Sequence, residues 1–152
     1  MMRMILLVPI LLVLAVLAAG VWFRLVPMTP AQLHLVPSDV TPPSSPNFAL
    51  RVGTDAPVFT QSPDVIADLL TIVAQDTGAK IIAGSPQSGH VSYVVRSRIM
   101  GFPDAISIRL MPEGAGTKLE IFSRSRYGYS DLGVNAARVA AWIAALETQT
   151  GT

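Results

Sequence analysis

Few residues in this chain are equipped for covalent chemistry. It has no cysteine and only two histidines, His34 and His90, which rules out a thiolate cage or cysteine nucleophile and argues against a histidine-rich metal site. Ser130-Asp131 sets a hydroxyl beside a carboxylate, but no nucleophile elbow, P-loop or dinucleotide-binding glycine motif occurs. The reading is therefore non-enzymatic, with no catalytic residue, no cofactor and no metal. Cationic chemistry remains. Arg96, Arg98, Arg109, Lys118, Arg124 and Arg126 lie close in sequence, and guanidinium forks suit phosphates and carboxylates. The stretch from Ser123 to Asn135 combines hydroxyls, Tyr127, Tyr129, Gly128 and Gly133 with a helix start, where exposed amides favour anions. Each has a plainer reading: a solvated sheet face for the arginines, and a strand-to-helix connection for the loop.

Period-two alternation decides whether those cations share a surface. From His90 to Ile99, Val91, Tyr93, Val95 and Ile99 alternate with Ser92, Val94, Arg96 and Arg98. Ile106, Ile108 and Leu110 alternate with Ser107 and Arg109, and Leu119 and Ile121 with Lys118 and Glu120. Short glycine-containing turns join the runs, which predicts an antiparallel meander with one buried face and the basic residues on the other. Ser97, Ser123 and Ser125 share the parity of the buried face; they line its polar end, or a bulge turns the later ones outward. Lys80 to Ala83 is a further short strand candidate.

Helix signals flank the strands. Ser62, Pro63 and Asp64 precede Val65, Ile66, Leu69, Leu70, Ile72 and Val73 at helical spacing, with Gly78 as the stop. Asn135 as N-cap, with a Val134–Val139 staple, opens a last helix carrying Val139, Trp142, Ile143 and Leu146. The fold class is α+β, an antiparallel β-meander with two helices packed on one face, preceded by one N-terminal transmembrane helix.

That helix is the uncharged run from Met4 to Phe23, bracketed by Arg3 and Arg24. At 1.5 Å per residue it spans about 30 Å, a bilayer's hydrocarbon thickness. A cleaved signal sequence ending at Ala18-Ala19-Gly20 is the competing reading. Arg3 and the N-terminal amine give a weak bias for the N-terminus inside and the domain outside. Six of the twelve prolines fall between Pro27 and Pro46, predicting a spacer without helix that lifts the domain off the bilayer. The divisions are 1–24 for the anchor or signal, 25–50 for the linker and 51–152 for the domain. Eleven basic against ten acidic residues, a formal net charge of +1, exclude the footprint of a nucleic-acid binder.

Ser44-Ser45-Pro46-Asn47, then Arg96-Ser97-Arg98 with Gly101-Phe102 and Asp104, then the run from Ser123 to Asn135 with Arg138-Val139, resemble the domain-of-unknown-function family numbered 1499. The likeness runs from about Pro43 to Leu146. It implies a bacterial or plastid protein, often with an N-terminal membrane or export segment, and no assigned biochemistry. Phe48, Ala105 and the Ala136-Ala137 pair depart from the residues relatives commonly carry there. Arg96, Arg98, Arg124, Ser130, Asp131 and Asn135 match, and are the candidate ligand-binding residues. The expectation is a single-pass protein of a bacterial inner membrane, its domain periplasmic. It binds an anionic small molecule or lipid headgroup through an arginine-rich sheet face; the alternative is an envelope interaction module meeting an acidic protein partner.

Overall fold

The computed structural model describes residues 2–151, with side chains from Leu7 onward; the Arg3 side chain and Thr152 lie outside the described residues. Helix α1 (Met2–Leu25) contains a 19-residue stretch, Leu7–Leu25, of mean hydropathy 2.3, long and apolar enough to cross a bilayer. A four-residue helix, α2 (Pro30–Leu33), and a 3-10 turn at Pro37–Asp39 follow. The remainder is β1 (Phe48–Arg51), β2 (Val58–Phe59), α3 (Pro63–Asp76), β3 (Lys80–Ser85), β4 (His90–Arg96), β5 (Pro103–Glu113), β6 (Gly116–Ser125) and α4 (Val134–Thr150). The architecture is α+β, with one six-stranded antiparallel sheet in the order β1-β6-β5-β4-β3 and β2 pairing with β6. Gly116 makes the β2 approach possible: a Cβ there would lie 2.0 Å from the Phe59 carbonyl oxygen.

Register sorts the side chains into two faces. Tyr93, Ile106 and Ser123 lie across from one another, as do Val91, Ile108 and Ile121. These apolar residues join Ile66, Leu70 and Val73 of α3 and Val139, Trp142 and Leu146 of α4 in one buried cluster. The Trp142 ring meets Tyr93 edge-on at 5.6 Å, a favoured aromatic geometry. The other face carries the rows Ser92–Ser107–Phe122, Val94–Ala105–Arg124 and His90–Arg109–Glu120.

This second face is not open to solvent. Ser92, Ala105, Ser107 and Phe122 are all at most 1% exposed. The proline-rich segment covers them: α2 contacts β3 and β5, and the 3-10 turn contacts β5 and β6. Val26, Leu33 and Pro37 are buried beneath it. The expected spacer is thus a strap with short helical turns, and β1 extends the sheet into the segment assigned to the linker. The expected strand through Ile99 ends instead at Arg96, and residues 98–100 form a turn.

The strap is held by polar groups on the sheet face that it covers. A proline-rich backbone has carbonyls in excess of its amides, and each carbonyl taken from water needs a donor. The Leu33 oxygen accepts from Ser107 Oγ at 2.9 Å and Arg124 Nη2 at 3.0 Å. His34 stacks on His90 with ring centroids 3.8 Å apart. His34 Nδ1 lies 3.0 Å from Ser92 Oγ, and His90 Nε2 lies 3.1 Å from the Leu35 oxygen.

Two predictions follow from the strap. Arg124→Ala removes charge-assisted bonds worth about 1.5–3 kcal/mol and should lower unfolding stability by about 2 kcal/mol, whereas the exposed Arg98→Ala should change it by less than about 0.5 kcal/mol. Chemical denaturation of the full chain in detergent reads both. Burial, then the electrostatic influence of the neighbouring His90, hold the His34 imidazole below its ordinary 6.5. The unfolded chain therefore binds more protons than the folded one just below pH 6.5, and stability falls as pH drops from there through the folded-state value. His34→Gln should flatten that decline in thermal midpoints recorded from pH 8 down to about pH 5.

Candidate functional site

The arginines are divided among different tasks. Arg96 donates through Nη1 to the Phe23 oxygen and through Nη2, at 2.9 Å, to the Val26 oxygen. Phe23 lies in the last turn of α1, where carbonyls lack intrahelical donors and a cation suits the helix dipole. Arg126 donates to the Pro27 oxygen. Arg124 lies 4.5 Å over the Phe122 ring, and burial pulls its guanidinium down to about 10, so it stays charged near neutrality. Lys118 pairs with Glu113 at 3.4 Å. Arg98 is exposed in the turn after β4. Strand parity places Arg96 and Arg124 on the second face, where the strap engages both, while Arg109 stands in the row with His90 and Glu120.

The other candidates meet at the opposite face's polar end. Asn135 is fully buried and is not the N-cap: α4 starts at Val134 with Gly133, at φ +83°, before it. Its Oδ1 accepts from Ser123 Oγ at 2.5 Å and Arg138 Nη1 at 2.7 Å. Its Nδ2 is shared among Asp131 Oδ2, Ser125 Oγ and the Asn47 oxygen at 2.7, 3.0 and 3.1 Å. Asp131 does the capping, accepting from the Gly133 amide at 3.0 Å and the Asn135 amide at 2.8 Å. Burial works to raise the Asp131 carboxyl, but those amides and the Asn135 side chain outweigh it and hold it below its usual value. With Gly133 as N-cap, Val134 is the first helical residue, so Val134 and Val139 no longer hold the two staple positions.

Arg138 and Asp104 complete the network with a 2.7 Å ion pair, both side chains largely buried. Asn47 ties in the segment before β1: its Nδ2 donates to the Gly128 oxygen at 2.6 Å and its backbone oxygen accepts from the Ser125 amide. Sequence reasoning missed Asn47, Asp104 and Arg138 as a unit. A signal existed, because Asn135 and Val139 are four apart on the stripe that continues to Trp142 and Leu146, and Asp104 shares the parity of Ile106. Polar residues at such positions need partners.

Beside this network lies a pocket of about 250 Å³. Phe102 and Tyr127 form apolar walls, and Ser97, Asp104, Ser125, Ser130 and Asp131 supply polar atoms. The Ser97, Ser125 and Ser130 oxygens accept from the Phe102 amide, Asn135 Nδ2 and the Leu132 amide respectively. Among the described residues, none of these three hydroxyls donates to a protein acceptor. The pocket adjoins α1: Phe23 lies 4.2 Å from Phe102 and 5.5 Å from Tyr127, and Trp22 lies 5.5 Å from Tyr127. Ser130 and Asp131 therefore sit together at the pocket, with Asn135 just behind, while Arg96, Arg98 and Arg124 are not among its lining residues.

A network residue responds differently from a cap. Asn135→Ala leaves buried donors and acceptors unpaired at about 1–3 kcal/mol each and should cost about 3 kcal/mol, above the 0.5–2 kcal/mol typical of an N-cap loss. Asn135→Asp turns the donor facing Asp131 into a second anion and should be at least as damaging, where a cap would tolerate it. Paired denaturation curves of the two variants distinguish these roles.

Neither curated proteins nor solved structures gave a match to this chain. The family described as "Protein of unknown function (DUF1499)" matches residues 35–146. That match starts inside the strap and takes in the sheet, the network and most of α4. The chain belongs to the DUF1499 family.

Proposed function

We propose that this is a non-enzymatic, single-pass protein of a bacterial inner membrane whose periplasmic domain holds the zwitterionic headgroup of a phospholipid in the pocket beside α1. The observation carrying this reading is the set of three pocket hydroxyls, Ser97, Ser125 and Ser130, each of which accepts one bond within the protein and, among the described residues, donates none. Such hydroxyls donate to a phosphate. Asp131, which also lines the pocket, disfavours a purely anionic ligand and suits the amine of an aminoethyl phosphate, whereas Asp104 is already paired with Arg138. The anionic-ligand reading thereby moves from the sheet face, where the arginines are engaged, to a pocket with donors and carboxylates together. A volume of about 250 Å³ falls below the range of drug-sized sites, about 300–1,000 Å³, and matches a headgroup rather than a whole lipid.

The location supports the same ligand. Trp22 and Phe23 close an apolar stretch of bilayer length, where aromatic residues mark the membrane interface, and the pocket walls pack on them. Retention of α1 as an anchor is favoured by its unbroken course through Ala18–Gly20 and by the Arg96 bond to the Phe23 oxygen. The non-enzymatic reading is supported by the histidines, which face each other and bond Ser92 and the Leu35 oxygen; Ser92 itself is fully buried.

Native mass spectrometry of the full chain released from detergent tests the ligand. With phosphatidylethanolamine supplied, one lipid should remain bound, and Ser125→Ala combined with Ser130→Ala should weaken retention about thirty-fold, at about 1 kcal/mol per lost bond. Equal retention by the double variant, or no bound lipid, overturns the headgroup reading. A polypeptide retained at fixed stoichiometry instead favours the interaction module.

A further inference from the structure

We propose that the turn at residues 97–102 and the loop at residues 128–134 form a second membrane contact, dipping their apolar side chains into the interface beside α1. The inference rests on the reading of α1 as a retained anchor. It goes beyond that reading by fixing the domain's attitude: the sheet stands with its pocket end on the bilayer.

Three observations carry it. The first is attachment. Arg24, near the end of α1, donates to the carbonyl oxygens of Arg98 and Ile99 at 3.0 and 2.5 Å. Gly101 packs so closely on Arg24 that a Cβ would lie 2.4 Å from its Cγ, and its φ of +75° also favours glycine. The turn therefore lies against the last turns of the apolar stretch Leu7–Leu25, at the depth where that stretch leaves the hydrocarbon.

The second is side-chain chemistry. Ile99 is 84% exposed, Leu132 95% and Tyr129 75%, with Phe102 and Val134 also exposed. Five large apolar or aromatic side chains on two adjoining loops make a patch of the kind that marks an interaction surface. Leu132 also has φ +54°, uncommon for a non-glycine residue. Arg98 and Arg24, both exposed, stand next to the patch where lipid phosphates lie.

The third is polarity along the strands. β4 leads into the 97–102 turn and β6 leads toward the 128–134 loop, whereas the β5–β6 turn at Gly114-Ala115 lies at the other end of both hairpin strands. Among the described residues, that far turn has no large exposed apolar side chain, and the Lys118–Glu113 ion pair stands beside it. At that end Val58, opposite Lys118, is exposed, against five large apolar or aromatic side chains on the two loops at the other end. Ser97, Phe102, Tyr127 and Ser130 line the pocket between the two loops, so its mouth lies at headgroup depth.

The chain has no cysteine, so each single-cysteine variant carries one label. Full-length Val13→Cys, Ile99→Cys, Leu132→Cys and Ala115→Cys are labelled with an environment-sensitive dye and reconstituted in phosphatidylcholine–phosphatidylglycerol vesicles containing brominated acyl chains. Labels at 13, 99 and 132 should be quenched, the latter two within about two-fold of position 13, as for side chains buried at the headgroup–acyl boundary; position 115 should not be. Quenching at 13 without quenching at both 99 and 132 overturns this proposal and leaves the anchor standing. An unquenched label at 13 overturns the anchor and the proposal with it. Quenching at 115 equal to that at 132 overturns the stated attitude of the sheet.

Discussion

Arginine donation to backbone carbonyls is the interaction on which the arrangement of this protein turns. The segment from Val26 to Val40 is interrupted by three prolines, cannot pair as a strand, and so brings carbonyl oxygens without matching amides to the sheet. Arg96, Arg124 and Arg126 meet the oxygens of Phe23, Val26, Leu33 and Pro27. Each guanidinium carries five donors in a fixed fork, so one side chain satisfies several oxygens at once. The strap in turn buries Ser92, Ala105, Ser107 and Phe122, giving the sheet a second buried face.

The same bonds couple α1 to the domain. Arg96 reaches its last turn from β4, and Arg24 reaches back to the 97–102 turn. At the helix end, where carbonyls lack intrahelical donors, the Phe23 oxygen is capped by Arg96 from the sheet. No free spacer intervenes, so movements of the domain relative to α1 must break charge-assisted bonds, and the pocket walls Phe102 and Tyr127 are held against Trp22 and Phe23.

At the polar end of the helix-facing core, Asn135 plays a corresponding part. Its amide side chain joins β6, α4, the 128–134 loop and the segment before β1 through Ser123, Arg138, Asp131 and Asn47. A connected buried network rigidifies its surroundings, and this one stands directly behind the pocket. Asp131 holds the start of α4 by two backbone amides while also lining the pocket, so the pocket surface and the helix start share one carboxylate.

Local pattern was enough to identify much of the molecule. Alternation in Val91–Tyr93, Ile106–Leu110 and Leu119–Ile121 specified antiparallel strands and their buried face, because side-chain period two is intrinsic to a strand. Helical spacing and the Ser62-Pro63 start gave α3, and uninterrupted apolar length gave α1. The Ser44–Asn47, Arg96–Asp104 and Ser123–Asn135 blocks pointed to the family. Tertiary structure alone decided what covers the second face, since the strap's register on the sheet depends on contacts such as Leu33 with Ser107 and Arg124, more than seventy residues away. It also decided that Asn135 is a buried hub rather than a cap: the residue type fits either role, and only the convergence of Ser123, Arg138 and Asn47 around it selects one.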